Sequence, residues 1–600
     1  MLRILLLSLF VVTFASAAAA KPNILFVLID DMGARDLGCY GSKFYRTPNI
    51  DRLAQQGMKF THGYAACSVC SPSRAAIMTG KFPARLHLTD WLPGRTDRPD
   101  QPLARPVIRQ QLPLEETTLA EALKEEGYTT GHIGKWHLGD KGFLPEDQGF
   151  DVNIAGTKWG YPFGWFPPYE RKLRNGDTLK IPDLDNVAEG TYLTDALNDA
   201  AVRFIEYNHD KPFFLHLSHY TVHIPLDAPK DLIARYPTLT DQRGKQTNAV
   251  YAAMIESLDT GLGRVFAKLE EMKIADNTIV VFTSDNGGLC TLEGRNTPAT
   301  YNAPFREGKG FIYEGGLRVP YIVKWPGKTK SGSVSEVPVC GIDFFPTLLK
   351  AAGVKSSAKV DGTDLTPVLD GSKKGLNRRL YWHYPHYSNQ GGKPAGALRQ
   401  GKWKLIQNYE DGRLELYDVS KGREGRNVVG SEAVVARSMM NALEAMHRET
   451  GAQMMLPYED YLPNAQQNNG PILLAARTAN IHGTMLRYEP MPHKNTVGYW
   501  VNESDRVSWN FTIQRPGTYE VIATQGCGPG QGGSQVEFAV GDEKLMMTVE
   551  DTGHFQNFVE RNIGRIKLKT AGRHTLMVSP RKKAKNAVMD LRRVLMRPVK

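Results

Sequence analysis

Two kinds of pattern alternate along the chain from about residue 22 to residue 355. Short runs of branched and aromatic apolar residues are followed by longer stretches in which apolar positions recur every three or four residues. Pro22 to Ile29 is apolar almost throughout, as a parallel strand covered on both faces must be. Pro212 to Ser218, Thr278 to Thr283 and Tyr321 to Trp325 also read as strands, and Tyr128 to Ile133 as a short one. Helices are predicted to open at Thr47 and to run over Thr117 to Glu126, Thr191 to Asn208, Val250 to Met272 and Asp343 to Ala352. Thr117 or Thr118 caps the second of these, and Gly127 ends it. In the long fourth helix, Met254, Leu258, Leu262, Val265 and Leu269 share one face. Strand alternating with helix predicts an α/β domain on a mostly parallel sheet sandwiched by helices. Ligands of such sheets gather beyond the carboxyl ends of the strands.

The pattern then breaks. Residues 143 to 185 are rich in Pro, Gly, Trp and Tyr without periodicity, which reads as a long ordered loop lining a site. Lys402 to Gln407 and Leu414 to Tyr417 read as short antiparallel strands, and Glu432 to Thr450 as a helix. Beyond a polar stretch come alternating segments at Val507 to Ile513, Thr518 to Thr524, Gln535 to Val540, Arg565 to Lys569 and His574 to Ser579. Turn residues separate them, so an appended all-β sandwich is expected. The resulting plan has an α/β domain over 21–375 and a smaller antiparallel C-terminal subdomain over 376–463. A linker over 464–470 leads to the sandwich over 471–600.

Composition adds compartment and rules out several classes. Met1 to Ala20 carries Arg3, an apolar core and a string of alanines. That is the form of a secretory signal peptide cleaved near residue 20, so a secreted or periplasmic protein is expected. The apolar core is too short for a permanent membrane anchor. Six cysteines in 600 residues are too few for a disulfide-built scaffold. The formal charge is +11. From Arg561 onward thirteen lysines and arginines face one acidic residue, Asp590, which accounts for the whole excess. Such a tail suits a sulfated polysaccharide better than nucleic acid in an exported protein, and equally suits a solvated face.

The chemistry lies just after the predicted strands. Asp30-Asp31, Gly134-Lys-Trp-His137, His219 to Pro225 and Asp285-Asn286 each follow one. Asp30, Asp31, Asp285 and Asn286 offer only oxygen, which suits a hard divalent cation, calcium or magnesium, over zinc. Buried carboxylates at strand ends are costly without a positive partner. Cys70-Ser-Pro-Ser-Arg74, with Thr79-Gly80 beyond, places a nucleophile just before a helix. Ser71 or Ser73 is a candidate cap, Pro72 fits the first turn, and Arg74 lies one turn in, a ready anion site.

These motifs, with Lys309-Gly-Phe-Ile-Tyr-Glu-Gly-Gly-Leu-Arg-Val-Pro320, resemble the signatures of the type I sulfatases across roughly residues 22 to 450. The likeness is to the arylsulfatase A and N-acetylgalactosamine-6-sulfatase group of the alkaline phosphatase superfamily. It implies an alkaline-phosphatase-like α/β fold. It also implies calcium and a formylglycine made from Cys70 by a formylglycine-generating or anaerobic sulfatase-maturating enzyme. By position it implies that Asp30, Asp31, Cys70, Asp285 and Asn286 surround the metal. Arg74, Lys135, His137, His223 and Lys309 would surround the sulfate. The implied reaction runs through a formylglycine hydrate and a covalent sulfo-enzyme. His223 or Lys309 would protonate the departing alcohol, and His137 would assist sulfate release. His219 reads as structural.

The expected substrate is a sulfated carbohydrate of galactose or N-acetylgalactosamine type. Leu86 to Pro93, Trp159, Tyr161, Trp165, Asn302, Arg306, His383 and His386 are candidate pocket residues, and Trp500 and Trp509 candidate sugar platforms on the sandwich. Core packing is the competing reading for each. The competing functions are phosphodiester or phosphonate monoester hydrolysis on the same fold, and sulfated-glycan binding without catalysis.

Overall fold

A computed structural model describes residues 21–97, 101–173, 176–237, 245–457, 464, 466, 470–489 and 494–599. The expected signal peptide lies outside these residues. The chain forms two compact units. The first comprises the described residues up to 97 and Arg105–Met455, and the second Gln101–Ala104 with Leu456 onward.

The first unit is built on an eight-stranded sheet. Its strands are β1 (Asn23–Ile29), β2 (Met58–Phe60), β3 (Thr129–Gly134), β4 (Val152–Ile154), β5 (Phe213–Ser218), β6 (Thr278–Ser284), β7 (Tyr321–Lys324) and β8 (Ser333–Ser335), in the order β8-β2-β7-β6-β1-β5-β3-β4. The five strands from β6 to β4 run parallel. Strand β7 runs antiparallel to both β6 and β2, which makes the sheet mixed at that side. In β1, Leu25, Val27 and Ile29 enter one core, with residues of the helices Leu193–Asn208 and Ala249–Glu271. Ile24, Phe26 and Leu28 enter the other, with residues of the helices Leu119–Glu125 and Phe344–Ala351. Burial on both faces is why this strand shows no polar alternation. The expected cap is present: the Thr118 hydroxyl accepts from the Glu121 amide, and the Glu121 carboxylate from the Thr118 amide.

The loop expected over 143–185 contributes β4 to the sheet edge and a two-stranded ribbon, Glu170–Lys172 with Thr178–Lys180. Three-residue strands carry too little pattern to be read from sequence. A four-stranded antiparallel sheet follows, with strands Arg379–Tyr384, Ala395–Gln400, Trp403–Asn408 and Leu414–Asp418, and the helix Ala433–Thr450 packs on it. Among the described residues no helix is long and apolar enough to cross a membrane.

The second unit is a sandwich of antiparallel sheets. Its core includes Val507, Phe511, Val521, Phe538, Leu576 and Val594. The strand expected over Arg565 to Lys569 is the end of a longer one, His554–Leu568. Within the stretch read as a linker, Asn464 donates to the Asn510 carbonyl and the Gln466 amide to Thr512. Trp500 and Trp509 are fully buried, their indole N–H groups donating to Asp505 and Ala475 carbonyls. They are core residues, not sugar platforms, because the inward face of each strand needs large apolar volume.

Candidate active site

The carboxyl ends of four parallel strands meet here, and backbone bonds hold the segments that leave them. The Asp30 amide donates to Thr221 at 3.0 Å, Lys135 to Ser218 at 2.7 Å, and Asp285 to Ile29 at 3.0 Å. Asp30, Asp31, Lys135, His137, Asp285 and Asn286 are thereby drawn together from three strands, all of them buried. Asp31 and His137 have φ of 62° and 60°. Non-glycine residues in this left-handed region are strained, and such strain concentrates at functional sites.

The helix Cys70–Thr79 supplies the rest. Cys70 is its first residue, with Val69 at the N-cap and no side-chain cap. This corrects the expectation of a nucleophile ahead of a serine-capped helix. The Ser71 hydroxyl accepts from the Leu92 amide and that of Ser73 from Cys67, so both serines tie the helix to its surroundings. Arg74, one turn in, donates from Nε to Asp285 Oδ2 at 2.9 Å, and Nη2 lies 2.8 Å from the same oxygen. Its Nη1 donates to the Lys135 carbonyl at 2.9 Å and to Ser218 Oγ at 2.7 Å.

Two lysines complete the cluster. Lys135 Nζ donates to Asp30 Oδ2 at 2.7 Å. Lys309 Nζ donates to Asp31 Oδ2 at 2.7 Å and lies 2.9 Å from His223 Nε2. Asn286 Nδ2 donates to Asp31 Oδ1 at 2.8 Å. Ligand atoms of Asp30, Cys70 and Asp285 all lie within 4.8 Å of one another, and so do those of Asp30, Asp31 and His223.

Burial pushes the Asp30 carboxyl well above its ordinary range, against the opposing pull of Lys135. Burial also opposes the charge on Asp31, but the Lys309 ammonium outweighs it and holds that carboxyl low, with Lys135 adding to the pull. Burial raises the Cys70 thiol and depresses His137 and His223 far below the usual histidine value, so both imidazoles are neutral. Asp30 Oδ1 and Asn286 Oδ1 are buried and accept no hydrogen bond among the described residues. Buried oxygens without donors call for a cation, and an oxygen-rich set of carboxylates and an amide fits a hard divalent one.

Several other candidates have structural partners. His219 is buried, with burial depressing its pKa to about 3. Trp165 is buried, donating to Pro225. His383 packs between Tyr409 and the Gln453 carbonyl, and buried His386 bonds Thr89. Asn302 bonds the Gly288 and Glu307 carbonyls, and Arg306 stacks on Tyr313 at 3.8 Å. Trp159, Tyr161 and Trp91 remain only partly buried. Ser218 was missed. Its signal was a hydroxyl at the last position of an apolar strand, the position from which the other site residues depart.

A mostly parallel sheet with a polar cluster beyond its strand ends is an α/β fold with its ligand site where such folds bind, and similarity to known proteins places it in the alkaline phosphatase superfamily. The family model described as Sulfatase matches residues 22–354, and one described as N-sulphoglucosamine sulphohydrolase, C-terminal, matches 307–449. The chain belongs to the sulfatase family and is a sulfuric ester hydrolase. It is 34% identical to a sulfatase of Formosa agariphila over 67% of this chain and 83% of that one. It is 33% identical to human arylsulfatase A over 65% of this chain and 75% of that one. The crystal structure of Ps i-CgsB in complex with k-i-k-neocarrahexaose superposes with TM-score 0.60 at 29% identity, covering 71% of this chain and 92% of that one.

Proposed function

We propose that this sulfatase removes sulfate from a galactose- or N-acetylgalactosamine-type carbohydrate outside the cytoplasm, using formylglycine at position 70 and calcium. The observation that carries the reading is the set of buried oxygens without donors beside Cys70. Support for a carbohydrate substrate comes from the similarity to Ps i-CgsB, whose structure holds neocarrahexaose. Asp30, Asp31, Asp285 and Asn286 would hold the cation beside residue 70, where it would stabilise negative charge on reacting oxygens. Oxidation of Cys70 to formylglycine would supply an aldehyde whose hydrate has two hydroxyls on one carbon, which neither a thiol nor a serine offers.

The chain's own groups then divide the work. Arg74, Lys135 and Lys309 present fixed positive charge to the sulfate oxygens, preorganised by Asp285, Asp30 and Asp31. His223 Nδ1 lies 2.7 Å from the Ile224 carbonyl, which only accepts, so that nitrogen carries the ring proton. Nε2 therefore accepts from Lys309, and the ammonium is the proton-bearing member of the pair next to the leaving oxygen. His137 Nε2 lies 2.8 Å from the Leu92 carbonyl, so Nδ1 keeps a bare lone pair able to take a proton.

Peptide mass spectrometry across Cys70, paired with turnover of matched sulfate and phosphate aryl esters, tests the reading. Formylglycine with preference for the sulfate ester is expected. An unmodified thiol in fully active protein, or preference for the phosphate ester, would refute it.

A further inference from the structure

We infer that Gly160 is a positioning residue for His137, its missing side chain leaving room for the imidazole that the reading above treats as a base. A Cβ at position 160 would sit 2.3 Å from His137 Cε1 and 2.7 Å from each ring nitrogen. The backbone of residue 160 therefore lies against the ring itself. The φ of Gly160 is outside the left-handed region, so the position needs glycine for space, not for backbone freedom.

Both surfaces are tied to their surroundings. The His137 amide donates to the Thr157 carbonyl at 3.0 Å, which ties the ring's own backbone to the start of this loop. Trp159, Tyr161 and Phe163 flank Gly160 and pack edge to face, with centroids 5.8 to 6.0 Å apart. Through Nε2 the ring bonds the Leu92 carbonyl, and the Leu92 amide donates to Ser71 Oγ in the first turn of the Cys70 helix. The imidazole is thus held between Gly160 and a segment anchored one residue from Cys70. Nδ1 is buried and accepts no hydrogen bond among the described residues. An unspent lone pair aimed from a clamped ring is the requirement for a proton acceptor.

A methyl group at 160 would push the ring off the Leu92 carbonyl and release its tautomer. Protein labelled with ¹⁵N-histidine reports this without turnover. The parent should show His137 protonated at Nε2 and bare at Nδ1, assigned by its loss in His137→Gln. Gly160→Ala should lose that signature. Gly164→Ala, in the same loop but with its nearest neighbour at 3.5 Å, should keep it. Gly160→Ala should lower kcat by about a hundredfold, the scale of a catalytic group misplaced by about 1 Å, while KM stays within about threefold. In a His137→Ala background the same substitution should cost nothing further. An unchanged imidazole signal in Gly160→Ala, or a full loss added on top of His137→Ala, overturns the proposal. Parent-like kcat in His137→Ala alone would instead strike the role given to His137, and the ring signal separates the two failures.

Discussion

The first unit buries charge in two places, and they resolve it differently. At Glu314, Oε2 accepts from Arg318 Nε at 2.7 Å and Tyr64 at 2.9 Å, and Oε1 from Lys404 at 2.9 Å. Glu424 Oε1 accepts from Lys404 at 3.1 Å and from the Glu314 amide at 2.6 Å. Burial opposes ionisation of Glu314, but Lys404 and Arg318 win and hold its carboxyl low. At the strand ends Asp30 is equally buried, yet there burial wins over Lys135. The Glu314 cluster spends both oxygens of its central carboxylate on the protein. Among the described residues the strand-end cluster leaves two oxygens, Asp30 Oδ1 and Asn286 Oδ1, without a donor, where the Glu314 cluster leaves Glu424 Oε2 at its edge. A buried network that satisfies its central charge holds structure together. One that leaves oxygens of neighbouring residues without donors is prepared to bind something.

The sharpest way to break the comparison is to remove the group around which the strand-end cluster is arranged. Cys70→Ala is expected to lower turnover at least about 10³-fold while stability stays within about 1 kcal/mol. A melting curve and an ester assay on one preparation decide it. At the other cluster the effect should fall on stability. Lys404→Ala leaves Glu314 and Glu424 buried without their shared cation and should cost about 3–5 kcal/mol in denaturant unfolding. Its kcat per folded molecule should stay within about threefold of the parent.

Calcium should act on one cluster alone. At a hundredfold its dissociation constant it should stabilise the parent by about 2.7 kcal/mol, and a chelator should reverse this. Asp30→Asn should abolish most of that shift and Lys404→Ala retain it; equal shifts in both variants would show that the strand-end oxygens without donors do not bind the ion. The smallest effect belongs to pairs in water. Arg264, 43% exposed at its side chain, meets Asp195 and Asp199 at 3.1 Å each. Its replacement by alanine should cost only about 0.2–1 kcal/mol, which would show that burial, more than pairing, separates the clusters.

Much of this is legible in the amino-acid sequence. The strands β1, β5 and β6 announce themselves because burial on both faces demands unbroken apolar runs. Polar residues that follow such runs, Asp30 and Asp285 among them, stand out by contrast, whereas Lys135 follows the partly polar strand Thr129–Gly134 and is marked by its Gly-Lys-Trp-His motif. Short or partly polar elements were not legible: β2, β4 and β8 each span three residues. Trp500 and Trp509 were ambiguous because a platform and a core residue use the same side chain, and only burial separates them.

By itself the sequence determined the α/β alternation, the sandwich, and which residue types stand at the strand ends, because these depend on local periodicity and spacing. Tertiary structure alone decided which oxygens are left without donors and that Glu314 is neutralised by Lys404, 90 residues away. It also decided that the α-carbon of Gly160 rests against the ring of His137. Those facts depend on distances between segments far apart in the chain, and no local pattern encodes them.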